Sequence, residues 1–439
     1  MSTYNLLKGH NLCLKGQPSK DVVSIPLQDF CAVHPCQYKG MKPKLLVEEG
    51  SSVKIGTPLF FDKTKESVKV VSPICGKIES ITFGKRRIIE RILIKRESKD
   101  SEPIEKNTNF KDFLLSSGLW SYLRQRPFSK VPDPSIKPRA IFLTMHQTGP
   151  FSLDLEHIVS DFKEDLKRGI ELLSSLTEGN VFLTLKKGST LFNESDLEGI
   201  NVNYFRGPHP SGNIGVQIHH LEPIANKDDV VYYLSIQDLL SMVKTFESNE
   251  YNFDKIISCG GTGVNKPAYY KIRRGTLIKD IIGEVDAEKY RIISGDVLSG
   301  TITGLESSLN SFDEVLSVIP EIQEREFVGW ALPGLKKYSL SNTFISSALR
   351  RREADLETGL NGSIRAIIPF GRWDRVLPMD IYTDFLIKSI LSEDIEQMEQ
   401  LGIYECDPED FALCAFACQS KIEVSQIIDT GLDLVEREG

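Results

Sequence analysis

The sequence predicts a multidomain α/β protein with four parts: an N-terminal β barrel, an α/β domain with a parallel sheet, a β-grasp module and a mainly helical C-terminal domain. The length of 439 residues allows about two to four domains of ordinary size. Short β-branched runs fill the first hundred residues, helices and strands alternate after them, and the end is helical. We place the four parts at residues 1–100, 101–254, 255–329 and 330–439.

The barrel prediction rests on β-branched runs punctuated by Gly and Pro. The patterns G-x-x-V-x-x-G-x-x-L over 50–59 and S-P-x-x-G-x-I over 72–78 resemble a biotinyl/lipoyl-type domain. Such carriers present a modified lysine on a hairpin tip, here Lys63 or Lys65. Because residues 62–66 look longer and more polar than a two-residue turn, we expect an unmodified barrel.

Alternating helices and strands follow a polar linker over 98–109, and they predict a Rossmann-like parallel sheet covered by helices. The predicted helices are 111–125, 154–176 and 235–250, and the predicted strands are 138–144, 181–185 and 200–205.

The third part reads as strands with one short helix over 255–300, which suits a β-grasp module. We interpret its Gly260-Gly261-Thr262-Gly263 run as a turn. A phosphate-binding loop is the less favoured alternative, because the full dinucleotide pattern is missing. In the tail, helices are predicted over 407–418 and 425–438.

Composition excludes several classes of protein. The 32 glycines and 21 prolines are too few for a low-complexity or collagen-like chain. No apolar run approaches the roughly 18–20 residues that a membrane-spanning helix needs. The first residues lack the layout of a secretory signal, so we expect a cytoplasmic protein.

The net charge of −8 conceals an asymmetry. Residues 1–101 carry 18 basic and 10 acidic side chains, whereas residues 378–439 carry 3 basic and 15 acidic ones. The basic part lacks the aromatic-interleaved pattern of an RNA reader, so we expect no nucleic-acid partner. A membrane surface, an acidic partner or a merely solvated face remain open for it, and we expect salt-sensitive association.

Standard catalytic patterns are absent: the sequence contains no G-x-S-x-G, no H-E-x-x-H, no P-loop and no dinucleotide fingerprint. We therefore assign no catalytic residue and no metal ligand. The tandem pair His219-His220 points to two different faces of any regular element. The eight cysteines form no C-x-x-C pair, and Cys406, Cys414 and Cys418 fit buried thiols better than a metal site.

The richest loop spans 205–215, after a predicted strand end, where open α/β sheets bind ligands. His209 lies between two prolines and could donate a hydrogen bond to a carbonyl oxygen. The alternative is a rigid loop with a satisfied histidine.

Four long motifs, occurring in the same order, resemble the family formed by the A subunit of the sodium-translocating NADH:quinone oxidoreductase. They span 117–132, 207–212, 327–334 and 369–380. The resemblance implies a peripheral subunit, without a transmembrane helix, on the cytoplasmic face of the bacterial inner membrane. It belongs there to a six-subunit complex that oxidises NADH, reduces ubiquinone and pumps Na+ outward. The β-grasp part is then of the SLBB type.

The family also resembles the NADH- and FMN-binding flavoprotein of respiratory complex I and the C subunit of the Rnf complex. In those proteins a glycine-rich stretch approaches the flavin, whereas the matching positions here hold Trp120, Tyr122, Leu123, Arg124, Gln125 and Arg126. The resemblance thus implies no cofactor in this subunit, while the complex uses FAD, FMN, riboflavin, an Fe–S centre and ubiquinone. The alternative is a soluble FMN-dependent NADH dehydrogenase-like flavoprotein.

Two hypotheses follow for the subunit itself. It associates with quinone, or it is a scaffold that docks other subunits, especially the membrane-embedded B subunit. The candidate quinone-binding residues are Gly207, Pro208, His209, Pro210, Gly212, Trp330 and Trp373.

Overall fold

The computed structural model describes residues 2–105, 107–192, 200–323, 332–335, 337–348 and 353–439. The strands in this part of the chain are β1 Ser2–Asn5, β2 Ser19–Ser24, β3 Phe30–Val33, β4 Pro43–Leu45, β5 Ser52–Val53, β6 Pro58–Asp62, β7 Lys65–Val71, β8 Gly76–Phe83, β9 Ile89–Arg96, β10 Arg124–Arg126, β11 Ile141–Thr144, β12 Val181–Lys186, β13 Asn201–Arg206, β14 Val231–Tyr233, β15 Asp254–Gly260, β16 Ala268–Arg273, β17 Tyr290–Ser294, β18 Thr301–Thr303 and β19 Val315–Pro320. The helices are α1 Phe110–Ser116, α2 Leu155–Val159, α3 Lys163–Ser174, α4 Ile214–Leu221, α5 Ile236–Ser248, α6 Ile278–Ile282, α7 Ile345–Ala348, α8 Thr383–Leu391, α9 Ile395–Gln400, α10 Ala412–Ala417 and α11 Val424–Glu438.

Two small antiparallel sheets form the barrel, in the orders β3-β9-β8-β5 and β4-β6-β7. Its interior contains Leu59, Ile74 and Ile92, which are fully buried. The turn between β6 and β7 is shorter than the sequence predicted, with two residues between the strands. The reason is local: the Asp62 carboxylate accepts hydrogen bonds from the backbone N–H groups of Thr64 (3.0 Å) and Lys42 (3.1 Å).

The α/β domain contains a sheet in the order β1-β13-β12-β11-β14-β10, parallel except for β10. The β-grasp module contains a second sheet, in the order β18-β17-β19-β15-β16-β2. The predicted barrel spans residues 1–100, but β1 and β2 each lie at an edge of one of these other sheets. Both strands are short and largely exposed, so no apolar pattern marks them in the sequence.

Three predicted helices are shorter than expected. The helix predicted over 111–125 ends at Ser116, because Gly118 adopts a left-handed conformation (φ 75°) and a 3-10 turn leads into β10. The helix predicted over 154–176 is divided at Phe162 into α2 and α3. The tail helix predicted from 407 begins only at Ala412, since Pro408 and the residues around it form turns.

The C-terminal helices pack against one face of the parallel sheet. Phe142 of β11 and Val231 of β14 share an apolar core with Ile387, Phe411 and Leu432 of the tail. No helix among the described residues is both long and apolar enough to cross a membrane. The tail therefore covers one face of the sheet, and Glu409 of the tail contacts Asn213 in the loop that follows β13.

Candidate functional site

The loop over 207–213 connects β13 with α4 and lies at the carboxyl end of the parallel sheet. The N-terminal segment crosses this loop. His10 donates a backbone hydrogen bond to the carbonyl oxygen of His209 (2.8 Å), and Gly9 donates one to the carbonyl oxygen of Arg375 (3.1 Å). Gly9 is required there, because a Cβ would lie 2.3 Å from the His209 oxygen at a φ of 126°.

The His209 side chain is buried, with 3% of its surface exposed. Its Nδ1 lies 3.3 Å from the Thr148 hydroxyl, which also accepts the backbone N–H of Gly212 (2.9 Å). The His209 backbone N–H donates to Asn11 Oδ1 (2.8 Å). The His209 side chain and backbone thus both have hydrogen-bond partners within the chain.

Burial keeps both histidines of this region uncharged. It lowers the pKa of His209, and the nearby Asp296 carboxylate opposes part of that shift. Burial also lowers the pKa of His146 to about 4, with a smaller contribution from Lys186. His146 Nε2 lies 3.1 Å from the hydroxyl of the fully buried Ser211. A neutral imidazole can act as a hydrogen-bond donor and acceptor, but not as a cation, near pH 7.

Of the remaining predicted site residues, Trp373 lies in the apolar core of the C-terminal domain, 5% exposed. It lines a cavity of about 10 Å³ together with Phe370 and Asp384, a volume that holds about one water molecule. The segment that contains Trp373 is linked to the His209 loop by the N-terminal segment, because Gly9 donates to the Arg375 oxygen and His10 donates to the His209 oxygen. Trp330 lies outside the described residues.

A buried ion cluster lies beside this loop. Arg126, 2% exposed, places Nη1 3.3 Å from Asp410 Oδ2 and 3.5 Å from Asp407 Oδ2. Ser129 donates a short hydrogen bond to Asp407, and the Arg126 guanidinium lies over the Tyr233 ring at 5.5 Å. Asp410 is fully buried, and burial raises its pKa to about 6 although Arg126 counteracts the shift.

The Asp410 carboxylate, which belongs to the C-terminal domain, lies beside the first residues of α4. A Cβ at Gly215, the second residue of that helix, would be 1.9 Å from Asp410 Oδ2. Asn213 Nδ2 donates to the backbone oxygen of Glu409 (3.2 Å), which ties the two segments together. A helix N-terminus at the end of a parallel strand is where α/β folds hold anionic ligands. In this chain a carboxylate of the C-terminal domain fills that position.

Sequence reasoning missed Asp407 and Asp410 as members of this cluster. The signal in the sequence was their place directly before the apolar run 411–418. The tandem histidines contact the same domain. His219 Nδ1 donates to Glu405 Oε2 (2.6 Å), and His220 Nε2 donates to the Pro378 carbonyl oxygen (2.8 Å).

The three tail cysteines are buried in the apolar core. Burial raises the pKa values of Cys406 and Cys414 above their usual range, so both are thiols at neutral pH. Within the described ranges, no group of three His, Cys, Asp or Glu side chains could hold a metal ion.

Comparison with protein families identifies the domains. The profile of an "NqrA N-terminal barrel-sandwich hybrid domain" matches residues 4–97, that of an "NqrA second alpha/beta domain" matches 105–251, and that of an "NQRA C-terminal domain" of the SLBB type matches 256–304. The barrel, the α/β domain and the β-grasp module thus define a chain with the domain set of a respiratory quinone-reductase subunit.

Curated relatives lead to the same class. Proteins from Yersinia pseudotuberculosis and Marinomonas sp., both named as the A subunit of a Na(+)-translocating NADH-quinone reductase, are each 34% identical to this chain. The matches cover 98% and 99% of this chain and 99% and 100% of the relatives. The namesake from Neisseria meningitidis serogroup B is 35% identical, over 98% of this chain and 99% of its own length. The chain belongs to the NqrA family, which supplies the A subunit of the Na+-translocating NADH-quinone reductase. A separate soluble flavoprotein is not supported.

Proposed function

We propose that this chain is the docking subunit of its reductase complex on the cytoplasmic face of the inner membrane, and that it holds no flavin of its own. The observation that carries the proposal is the ion cluster of Arg126 and Asp410. The place that a ligand anion would take at the start of α4 is filled by a carboxylate of the same chain, neutralised by a buried arginine.

The segment before β10 also fits a flavin poorly. Trp120 is 2% exposed and its indole N–H donates to the Pro132 carbonyl oxygen (3.0 Å). Leu123 is fully buried, and the Tyr122 ring packs 4.4 Å from the Arg274 guanidinium. These side chains take up the volume that a glycine-rich loop would leave for a flavin phosphate, so we derive no electron-transfer step through this subunit.

A strip of exposed apolar side chains supports the docking role. Leu360, Ile364, Ile368 and Phe370 are each more than half exposed, and the segment that carries them runs beside residues 418–422. Monomeric surfaces rarely expose such a row of large apolar side chains, whereas partner interfaces do. We propose a membrane-embedded subunit, the B subunit in the family, as the partner that covers this strip.

Part of the charge asymmetry is neutralised inside the chain. Lys39 of the barrel pairs with Asp429 of α11 (2.8 Å), and Lys130 pairs with Glu436 of the same helix. The acidic tail therefore forms ion pairs with both the barrel and the α/β domain, and its exposed carboxylates remain available to a partner. We expect high salt to weaken the remaining contacts with other subunits more than these partly buried pairs.

Assembly of the complex tests the docking role. The triple change Ile364→Ser, Ile368→Ser and Phe370→Ser should leave the subunit folded but reduce its recovery in the affinity-purified complex at least tenfold. The control is Ile302→Ser, which alters an exposed residue (70%) outside the strip, on the edge strand β18. Full recovery of the triple variant, with unchanged stability, would contradict docking through this strip.

A second candidate is quinone binding at the predicted residues of the 207–212 loop and Trp373. It is favoured by the neutral His209, which lies among polar groups at the carboxyl end of the sheet. Titration of the purified chain with a ubiquinone analogue tests it. Saturable binding that His209→Ala abolishes and the exposed-site control His157→Ala preserves would support it. The absence of saturable binding would leave docking as the function.

A further inference from the structure

The hairpin between β8 and β9 ends in a tip that combines cations with apolar side chains. This basic tip consists of residues 83–88, with the sequence Phe-Gly-Lys-Arg-Arg-Ile. Phe83 and Ile88 are 51% and 53% exposed. The three cations between them, Lys85–Arg87, are exposed and form no ion pair with any described residue.

Nearby acidic groups do not neutralise the tip. The Glu90 carboxylate lies beside Gly84, and Glu49 Oε1 accepts the backbone N–H of Ile81 (2.8 Å), two residues before the tip. Glu306 is also close, because Arg91 donates to its backbone oxygen (3.0 Å), but its carboxylate binds Lys279 (2.8 Å). Three cations against the carboxylates of Glu90 and Glu49 still leave the tip with a net positive charge.

The backbone of the tip is unusual for these residues. Arg86 and Arg87 both adopt left-handed conformations, with φ of 55° and 58°. The turn is closed by a hydrogen bond from the Gly84 N–H to the Ile88 carbonyl oxygen (2.8 Å). Glycine or asparagine fits this conformation with less strain than arginine. Since neither arginine side chain is buried or forms an ion pair with the rest of the described chain, folding does not depend on their positive charge.

We propose that the basic tip binds an anionic lipid surface, with Phe83 and Ile88 at the level of the headgroups and Lys85–Arg87 on the lipid phosphates. Large apolar side chains flanking cations are suited to the bilayer interface, because the apolar groups contact the acyl chains and the cations contact the anionic headgroups. Because the turn is closed by its own backbone hydrogen bond, the tip needs no groove on a partner to complete its structure. The proposal rests on the peripheral location proposed above, and it adds a direct contact with lipid that docking to a partner does not require.

Vesicle sedimentation of the purified full-length chain tests this contact. We expect binding to vesicles of phosphatidylglycerol and phosphatidylethanolamine, and none to phosphatidylcholine vesicles. The variant Arg86→Gly/Arg87→Gly should bind about 30-fold more weakly, because each cation near an anionic surface contributes about fivefold. Glycine accepts the left-handed backbone, so this variant should keep or exceed the melting temperature of the parent chain.

Two further variants separate charge from apolar contact. Phe83→Ser/Ile88→Ser should weaken vesicle binding that remains at high salt, whereas the control Lys244→Gln/Lys266→Gln removes two exposed charges elsewhere and should change nothing. The proposal is overturned if the parent chain does not bind anionic vesicles, or if the glycine variant binds them equally well. Loss of the glycine variant from the purified complex, with vesicle binding unchanged, would instead assign the tip to an acidic protein partner. Incorporation of the strip variants tests docking independently of these results.

Discussion

Replacing Arg126 with methionine should destabilise the chain strongly, because it leaves Asp410 buried without its cation. At 3.3 Å, two unit charges attract by about 5 kcal/mol at an effective dielectric constant of about 20. Part of this attraction offsets the cost of burying both groups. Removing one partner of such a pair typically costs about 3–5 kcal/mol. We expect Arg126→Met to lower the free energy of unfolding by about that amount at pH 8.

The loss should depend on pH with a defined sign. The pKa of Asp410 is already raised to about 6 in the folded chain, and without Arg126 it rises further. A carboxyl whose pKa is higher in the folded than in the unfolded state favours folding more as the pH falls. The destabilisation by Arg126→Met should therefore be smaller at pH 5 than at pH 8, because Asp410 is protonated at the lower pH.

Urea unfolding followed by tryptophan fluorescence measures this effect, since Trp120 and Trp373 lie in the two domains that the cluster joins. The double change Arg126→Met/Asp410→Asn should recover part of the lost stability, because it removes the orphaned charge. The control is Lys137→Met, which breaks an exposed pair with Glu178 and should leave the midpoint unchanged. A loss below about 1 kcal/mol for Arg126→Met, or a pH-independent one, would refute the assigned energetics.

Three other predictions concern the site and its surroundings. Folding lowers the pKa of His146 to about 4, so the folded chain loses stability relative to the unfolded chain as the pH falls from 6.5 to 4. His146→Gln should make this loss of stability smaller, and urea midpoints measured across the pH range test it. A midpoint that depends on pH as in the parent chain would count against a buried neutral imidazole. Gly9→Ala should lower the melting temperature by several degrees, since its Cβ would meet the His209 oxygen at 2.3 Å, and an unaltered melting curve would contradict the tight crossing. A thiol reagent should modify Cys13 and Cys36 in the native chain, because these two are exposed, and the six buried cysteines only after unfolding. Rapid reaction of more than two thiols would contradict the burial of the other six.

The local pattern of residues in the sequence determined the fold class and the order of the domains. The order of barrel, α/β domain, β-grasp module and helical tail follows from β-branched runs and helical periodicity, because each pattern reports which face of an element is buried. The helix α5 was predicted over 235–250 and spans Ile236–Ser248, with Ser235 as its cap, because its start is encoded locally. Four motifs in order were sufficient to indicate the family.

Only the tertiary structure decided where distant segments meet. The strand β1 joins the parallel sheet next to β13, about two hundred residues away, and nothing in its four residues specifies that pairing. In the same way, Arg126 and Asp410 form one cluster although 284 positions separate them. The sequence showed bulky side chains around Arg126, but not that the Asp410 carboxylate lies beside the start of α4. A buried ion pair is defined by distance and desolvation, and both arise only when the tail packs against the sheet.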